Sequence, residues 1–415
     1  MESIKKGLRL PLEYIKYFIK WLICATVLGL ICGFVGVVFH KGLDTVAELN
    51  GNYPWLLYLL PVGGLVIALM YFLSERFGKL DTNHVVASAQ SGEKISIIMM
   101  PLIFVGTLIT HLLGGSAGRE GAALQLGGSA GYNLGKIFRF KTNDLKIIVM
   151  AGMSAVFSAL FGTPVTAAIF AVEVACVGAI NVAAIVPCFI SALSAYGMAV
   201  FFGLTPVSFS VEIVNDFSYV LLMKTVLLAF LCGLVAIVFC LALKKGHIQT
   251  KKILPNPFLR AIVGGLVIIL LTALVGNRDY NGAGMSIIER AMNGEARIEA
   301  FLLKMVFTVV TVSTGFKGGE IVPTFFVGST FGCVVGAILG LNPAFGAAIG
   351  FVALFCGVVN CPFASILLSV EVFGGQGLIF FAIACGVSFF ISGKYSLYST
   401  QHFAFSKING IVDSK

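Results

Sequence analysis

Two carboxylates stand in glycine-rich breaks between apolar runs: Glu120 in Gly118-Arg119-Glu120-Gly121 and Glu320 in Gly318-Gly319-Glu320-Ile321. An acid in such surroundings is costly to bury and marks an ion or proton pathway by default. A helix that begins at such a break presents free N–H groups and the positive end of its dipole, which together attract an anion. Glu120 is therefore a candidate gating and proton-carrying group. Its structural reading is an acid paired with Arg119. Glu320 either carries protons or anchors a helix by hydrogen bonds. The N–H groups of Gly121, Ala122 and Ile321 are candidate anion donors, with Gly118, Arg119 and Gly319 supporting them.

A second chemistry competes for the same stretch. Gly114-Gly115-Ser116-Ala117-Gly118 fits the G-x-S-x-G nucleophile elbow, and His111 lies nearby. That elbow needs a strand before the serine. Here an apolar run of helical character precedes it, so the chain is read as no enzyme. Ten cysteines all fall inside apolar runs and lack the paired spacing of a metal or redox motif. They read as inert buried thiols, and no metal or cofactor is expected.

The elements that must position these residues are membrane helices. The chain has 415 residues, of which 58% are hydrophobic and only 11% charged. Its mean hydropathy is +0.99. Soluble domains carry roughly a quarter charged residues. Apolar runs at 22–39, 56–71, 95–113, 226–243 and 378–391 approach the roughly 20 residues that span a bilayer. The first run follows a basic segment and lacks a small-residue cleavage site, so it is not read as a signal peptide. The net charge of +9 comes from residues flanking these runs, which argues against a nucleic-acid partner. Lys5, Lys6, Arg9, Lys16 and Lys20 precede the first span, and further basic groups occupy 136–146 and 244–260. Segments 44–48 and 212–216 are acidic. The positive-inside rule then places the N-terminus and basic loops in the cytoplasm and the acidic segments outside.

The chain also repeats itself. Gly33 within 30–39 returns as Gly233 within 230–239, and Gly63-Gly64 returns as Gly264-Gly265. Gly118-Arg119-Glu120 returns as Gly318-Gly319-Glu320. Pro164 and Glu173 return as Pro362 and Glu371, so four matches run in one order at offsets of 198 to 201 residues. Loop charges reverse sign between the copies, the mark of inverted-topology repeats with a site near the middle of the membrane. Segments 122–132, 165–177 and 363–373 are too short to cross and read as broken or re-entrant helices. Such backbone is tolerated only where it is buried or lines a cavity. Glu173 and Glu371 lie at helix ends, where a structural role as capping or dimer-side acids is the better reading.

Taken together, these residues resemble the CLC chloride channels and anion/proton exchangers. Gly118-Arg119-Glu120-Gly121 is similar to the family's GREGP, and Gly318 through Pro323 to its GGxFxP. The stretch from Ala151 to Glu173 is similar to AAAFNxPLAGxxFxxEE. Tyr398 stands where the family places a tyrosine whose hydroxyl touches the anion. The departures resemble the fluoride/proton antiporter clade. The chloride-binding serine motif is replaced by Asp81-Thr82-Asn83-His84-Val85, the second relay glutamate is Val174, and Glu320 is an added acid. Gln125 and Tyr398 through Gln401 also look like that clade, whereas Val322 departs from it.

The resemblance implies an all-α polytopic membrane protein with the CLC-type fold of two inverted repeats. The expected organisation is a cytoplasmic segment at 1–20, repeats at 21–204 and 205–392, and a C-terminal helix and tail at 393–415, without nucleotide-binding CBS domains. The implied activity is fluoride/proton exchange, with chloride/proton exchange or a passive anion channel as the alternative. The implied partners are fluoride or another halide, protons, lipid and a second copy of the chain. Tyr398, Thr82 and Asn83 join the anion-binding candidates, although Thr82 and Asn83 also read as helix caps. The expected location is a bacterial inner membrane, with both termini cytoplasmic.

Overall fold

The computed structural model describes residues 2–211 and 218–408, so the acidic segment 212–216 lies outside the described residues. Sixteen α-helices occur among them. The first eight are α1 (Glu2–Asn52), α2 (Leu60–Leu73), α3 (Thr82–Ser91), α4 (Met99–Leu112), α5 (Glu120–Ile137), α6 (Thr142–Phe161), α7 (Pro164–Glu173) and α8 (Val182–Phe201). They are followed by α9 (Tyr219–Ile253), α10 (Pro257–Val275), α11 (Met285–Met292), α12 (Ala300–Ser313), α13 (Ile321–Ile338), α14 (Pro343–Val359), α15 (Pro362–Phe373) and α16 (Leu378–Ile391). The second set follows the first helix for helix, down to the short members α3 and α11.

Among the described residues, seven helical spans are long and apolar enough to cross a membrane. Others are too short: α7 has 10 residues and α15 has 12. At 1.5 Å per residue neither reaches across a core of about 30 Å. The end of α7 lies inside the protein, where Glu173, Val174 and Ala175 are buried. The outer helices α1, α9 and α10 turn Ile31, Phe34, Leu234, Leu266 and Leu270 outward, an apolar surface suited to lipid.

Glycine contacts hold the centre together. A Cβ on Gly127 of α5 would lie 2.0 Å from the carbonyl oxygen of Gly152 on α6, and one on Gly152 would lie 2.0 Å from that of Gly127. The second repeat does the same with α13 and α14, where a Cβ on Gly350 would lie 2.1 Å from the Gly328 carbonyl oxygen. Without a hydrophobic drive between helices in lipid, association rests on such close packing. The two tight pairs fix where α5 and α13 begin.

The repeats also exchange helix caps. Both Glu173 oxygens accept backbone N–H groups at the start of α15, from Phe363 (3.2 Å) and Ala364 (2.9 Å). Both Glu371 oxygens accept those at the start of α7, from Val165 (2.9 Å) and Thr166 (2.8 Å). The capping reading of these acids describes their contacts. Lys20 pairs with Asp144 at 2.6 Å, so the basic stretch of α1 meets the first turn of α6.

The only strands among the described residues are β1 (Cys176–Val177) and β2 (His402–Phe403), which pair in parallel as a small addition to a helical fold. The helix expected within 393–415 does not form over 393–408, which runs as turns and β2. Its serines bond locally instead: Ser396 Oγ accepts the Tyr398 N–H at 3.1 Å and donates to Gln401 Oε1 at 2.8 Å. Such bonds compete with helix formation.

Candidate functional site

The two glycine breaks meet. Gly118 N–H donates to the Gly319 carbonyl at 2.6 Å, and Gly319 N–H donates to the Gly118 carbonyl at 2.8 Å. This isolated antiparallel bridge joins positions about two hundred residues apart. From it α5 and α13 depart, so their N-terminal N–H groups sit side by side. Glu120 is the first residue of α5, and Glu320 is the residue that caps α13 by position.

Glycine is required here for space. A Cβ on Gly319 would fall 2.5 Å from Glu120 Oε2 and 2.5 Å from the Gly121 nitrogen. A Cβ on Gly121 would fall 3.0 Å from the Gly318 carbonyl oxygen and 3.4 Å from Thr82 Oγ1. Three chain segments thus close on one point, as expected where backbone approaches an ion.

Glu120 is fully buried, and neither carboxylate oxygen has a hydrogen-bond partner among the described residues. Its carboxylate faces the backbone N–H groups of Glu120 itself, Val322 and Arg119 without reaching hydrogen-bond geometry. Arg119 does not hold it. The guanidinium turns to His40 Nδ1 at 3.2 Å and lies over the Phe161 ring at 5.1 Å. The reading of Glu120 as an acid paired to Arg119 therefore loses its partner.

Glu320 is partly exposed and interacts electrostatically with Glu120 and Lys317. Tyr398 is buried at 4% exposure and feels both Glu320 and Glu120. Glu120, Glu320 and Tyr398 thus lie within electrostatic reach of one another. Ala122 and Ile321 are buried in the first turns of α5 and α13.

Thr82 is the first residue of α3, and Asp81 supplies the cap by accepting the His84 N–H at 2.8 Å. The alternative that Thr82 or Asn83 caps this helix is thereby corrected, since the side chain one position earlier takes that bond. Thr82 Oγ1 instead lies 3.5 Å from the Gly121 carbonyl and accepts Gln125 Nε2 at 2.9 Å. Asn83 joins the tail, its carbonyl accepting Thr400 Oγ1 at 2.8 Å, while its Oδ1 is buried without a partner.

The elbow reading fails on geometry. Ser116 follows helix α4 rather than a strand, and its hydroxyl meets Thr308 Oγ1 at 3.2 Å. His111 Nδ1 bonds the Thr107 carbonyl at 2.9 Å within α4. Val174, at the position of the missing relay acid, is completely buried. Sequence reasoning noted Gln125 only for its likeness to the clade, without a role, and did not single out Lys317. Gln125 lies one turn after Gly121, a spacing that puts both on one helix face. Lys317 sits beside Gly318, with its ammonium 3.9 Å from the centre of the Tyr71 ring. A cation between two apolar runs was the available signal.

The sequence profile of the family described as "Voltage gated chloride channel" matches residues 81–393. The chain belongs to this CLC family. CLC proteins are membrane transporters and channels rather than enzymes. A "Chloride/fluoride channel protein" from Pseudomonas syringae pv. tomato is 33% identical over 403 residues, covering 95% of this chain and 89% of the relative. The "H(+)/Cl(-) exchange transporter ClcA" of Yersinia pestis bv. Antiqua is 26% identical over 389 residues, covering 86% and 81%. Among solved structures, a "CLC-type fluoride/proton antiporter" superposes with a TM-score of 0.89 at 33% identity, covering 92% of this chain and 98% of that one. The CLC fold expected from the motifs is therefore the fold of this chain.

Proposed function

We propose that this CLC protein exchanges fluoride for protons, so that inward proton flow drives fluoride out of the cell. The observation that carries this reading is the cluster of Glu120 and Glu320 beside the glycine bridge, with buried Val174 at the relay position. Similarity to a fluoride/proton antiporter structure supports it. Fluoride is small and strongly hydrated, and its water must be replaced by good donors. The N–H groups of Gly121, Ala122 and Ile321 and the Tyr398 hydroxyl fill that role, with Thr82 and Asn83 on the approach. Arg119, Gly118 and Gly319 support the break.

Glu120 gates the site. Deprotonated, it competes with the anion for the helix N-termini; protonated, it leaves them free. Proton and anion then move alternately, which couples their fluxes. Glu320 passes protons to and from this cluster. The transporter works as a homodimer in the inner membrane, with both termini cytoplasmic and repeats at 21–204 and 205–392.

A chloride/proton exchanger or passive anion channel is the competing reading, favoured by the similarity to ClcA. Purified protein in liposomes separates these. Fluoride efflux followed by electrode, with matching proton uptake and little chloride flux, is the expected result. Chloride flux that exceeds fluoride flux overturns the fluoride assignment, and fluoride flux without proton uptake overturns the exchange mechanism.

A further inference from the structure

Gln125 is a polar side chain on the buried inner face of α5, and only 5% of it is exposed. Its Nε2 donates to Thr82 Oγ1 at 2.9 Å, whereas its Oε1 is buried without a partner. A half-satisfied buried amide is unfavourable, so the single bond to Thr82 is what holds it in place. Thr82 in turn lies against Gly121, whose N–H is a candidate anion donor.

A threonine hydroxyl has one hydrogen to give and two lone pairs. With the Gln125 amide on its oxygen, Thr82 keeps its hydrogen free to donate. The acceptor in reach is the Gly121 carbonyl at 3.5 Å, at the far limit of a hydrogen bond. An anion at the start of α5 offers a stronger acceptor, because bonds to charged groups are shorter and roughly twice as strong. We infer that Gln125 sets the preference for fluoride over larger halides by orienting the Thr82 hydroxyl toward the anion at the head of α5. This rests on the fluoride/proton reading above. Fluoride concentrates its charge on a smaller ion and gains more from a short O–H donor than chloride does. Gln125 acts through Thr82 and is a positioning residue.

The test compares fluoride and chloride flux in proteoliposomes for Gln125→Met, Thr82→Val, the double variant and Thr82→Ser, with fluoride binding measured by calorimetry. Gln125→Met keeps the side-chain length and removes the donor. The fluoride-to-chloride flux ratio is expected to fall about tenfold in Gln125→Met and in Thr82→Val, the scale of one hydrogen bond to a charged group. The double variant should fall no further, since both changes break one unit. Thr82→Ser keeps the hydroxyl and should keep the wild-type ratio. Equal loss of both fluxes, or additive losses, overturns the inference and leaves Gln125 as a tie between α3 and α5. If Gln125→Met does not fold, the contrast between Thr82→Val and Thr82→Ser decides, and an unchanged ratio in both overturns the inference. A wild-type protein that carries chloride but not fluoride overturns the parent reading as well. Fluoride exchange in wild type with an unchanged ratio in every variant overturns this inference alone.

Discussion

Glu173 and Glu371 each cap the short helix that carries the other. Glu173, the last residue of α7, accepts the first N–H groups of α15, and Glu371 near the end of α15 accepts those of α7. Each carboxylate satisfies two donors that a helix start leaves without intrahelical partners. With no water in a bilayer core to replace them, these bonds tie the two repeats together. Glu371→Ala is expected to destabilise the protein by about 1–3 kcal/mol for each orphaned N–H, with Glu371→Gln losing less because one acceptor remains. Thermal unfolding in detergent measures this, and equal melting of Glu371→Ala and wild type contradicts the capping role.

Glu120 and Glu320 make separable predictions. Glu120→Gln removes the group that competes with the anion, so proton-coupled efflux should vanish, leaving passive leak or no flux. Glu320→Gln should lower proton uptake per fluoride while leaving anion binding by calorimetry nearly intact. Proton-coupled efflux that survives Glu120→Gln unchanged sinks the gating mechanism.

Gly319→Ala tests the bridge. The added methyl would lie 2.5 Å from the Gly121 nitrogen, so the head of α5 must move. Displacement of about 1 Å at a positioned site costs on the order of a hundredfold in rate. Flux of both halides should drop together by roughly that factor, with the protein still eluting as a folded species. Wild-type flux in this variant would show that the close approach is dispensable.

Ser116→Ala addresses the abandoned hydrolase reading. The hydroxyl makes one contact with Thr308, so its loss should cost about 0.5–1.5 kcal/mol of stability and leave flux near wild type. Loss of transport without loss of folding would give Ser116 a role that its contacts do not explain.

Much of this was legible in the chain alone. Glycine and proline mark most of the places where an apolar run stops, because those breaks are local backbone chemistry. The acids at those breaks recur after about two hundred residues, and the resemblance of the surrounding motifs to those of the CLC family implied the fold. Less legible was the segment 393–408. Its side-chain bonds among Ser396, Tyr398 and Gln401, and its parallel pairing with β1, replaced the expected helix.

The sequence by itself determined where helices break, which acids stand at the breaks and that the halves correspond. The first two depend on residues close together in the chain, and the third on matching stretches about two hundred residues apart. Only the tertiary structure decided which partners those residues meet. It joined Gly118 to Gly319, turned Arg119 toward His40 and away from Glu120, and set Gln125 against Thr82. Contacts across such separations are chosen by how helices pack, and glycine faces that let backbones approach closely leave no local signature of what lies opposite.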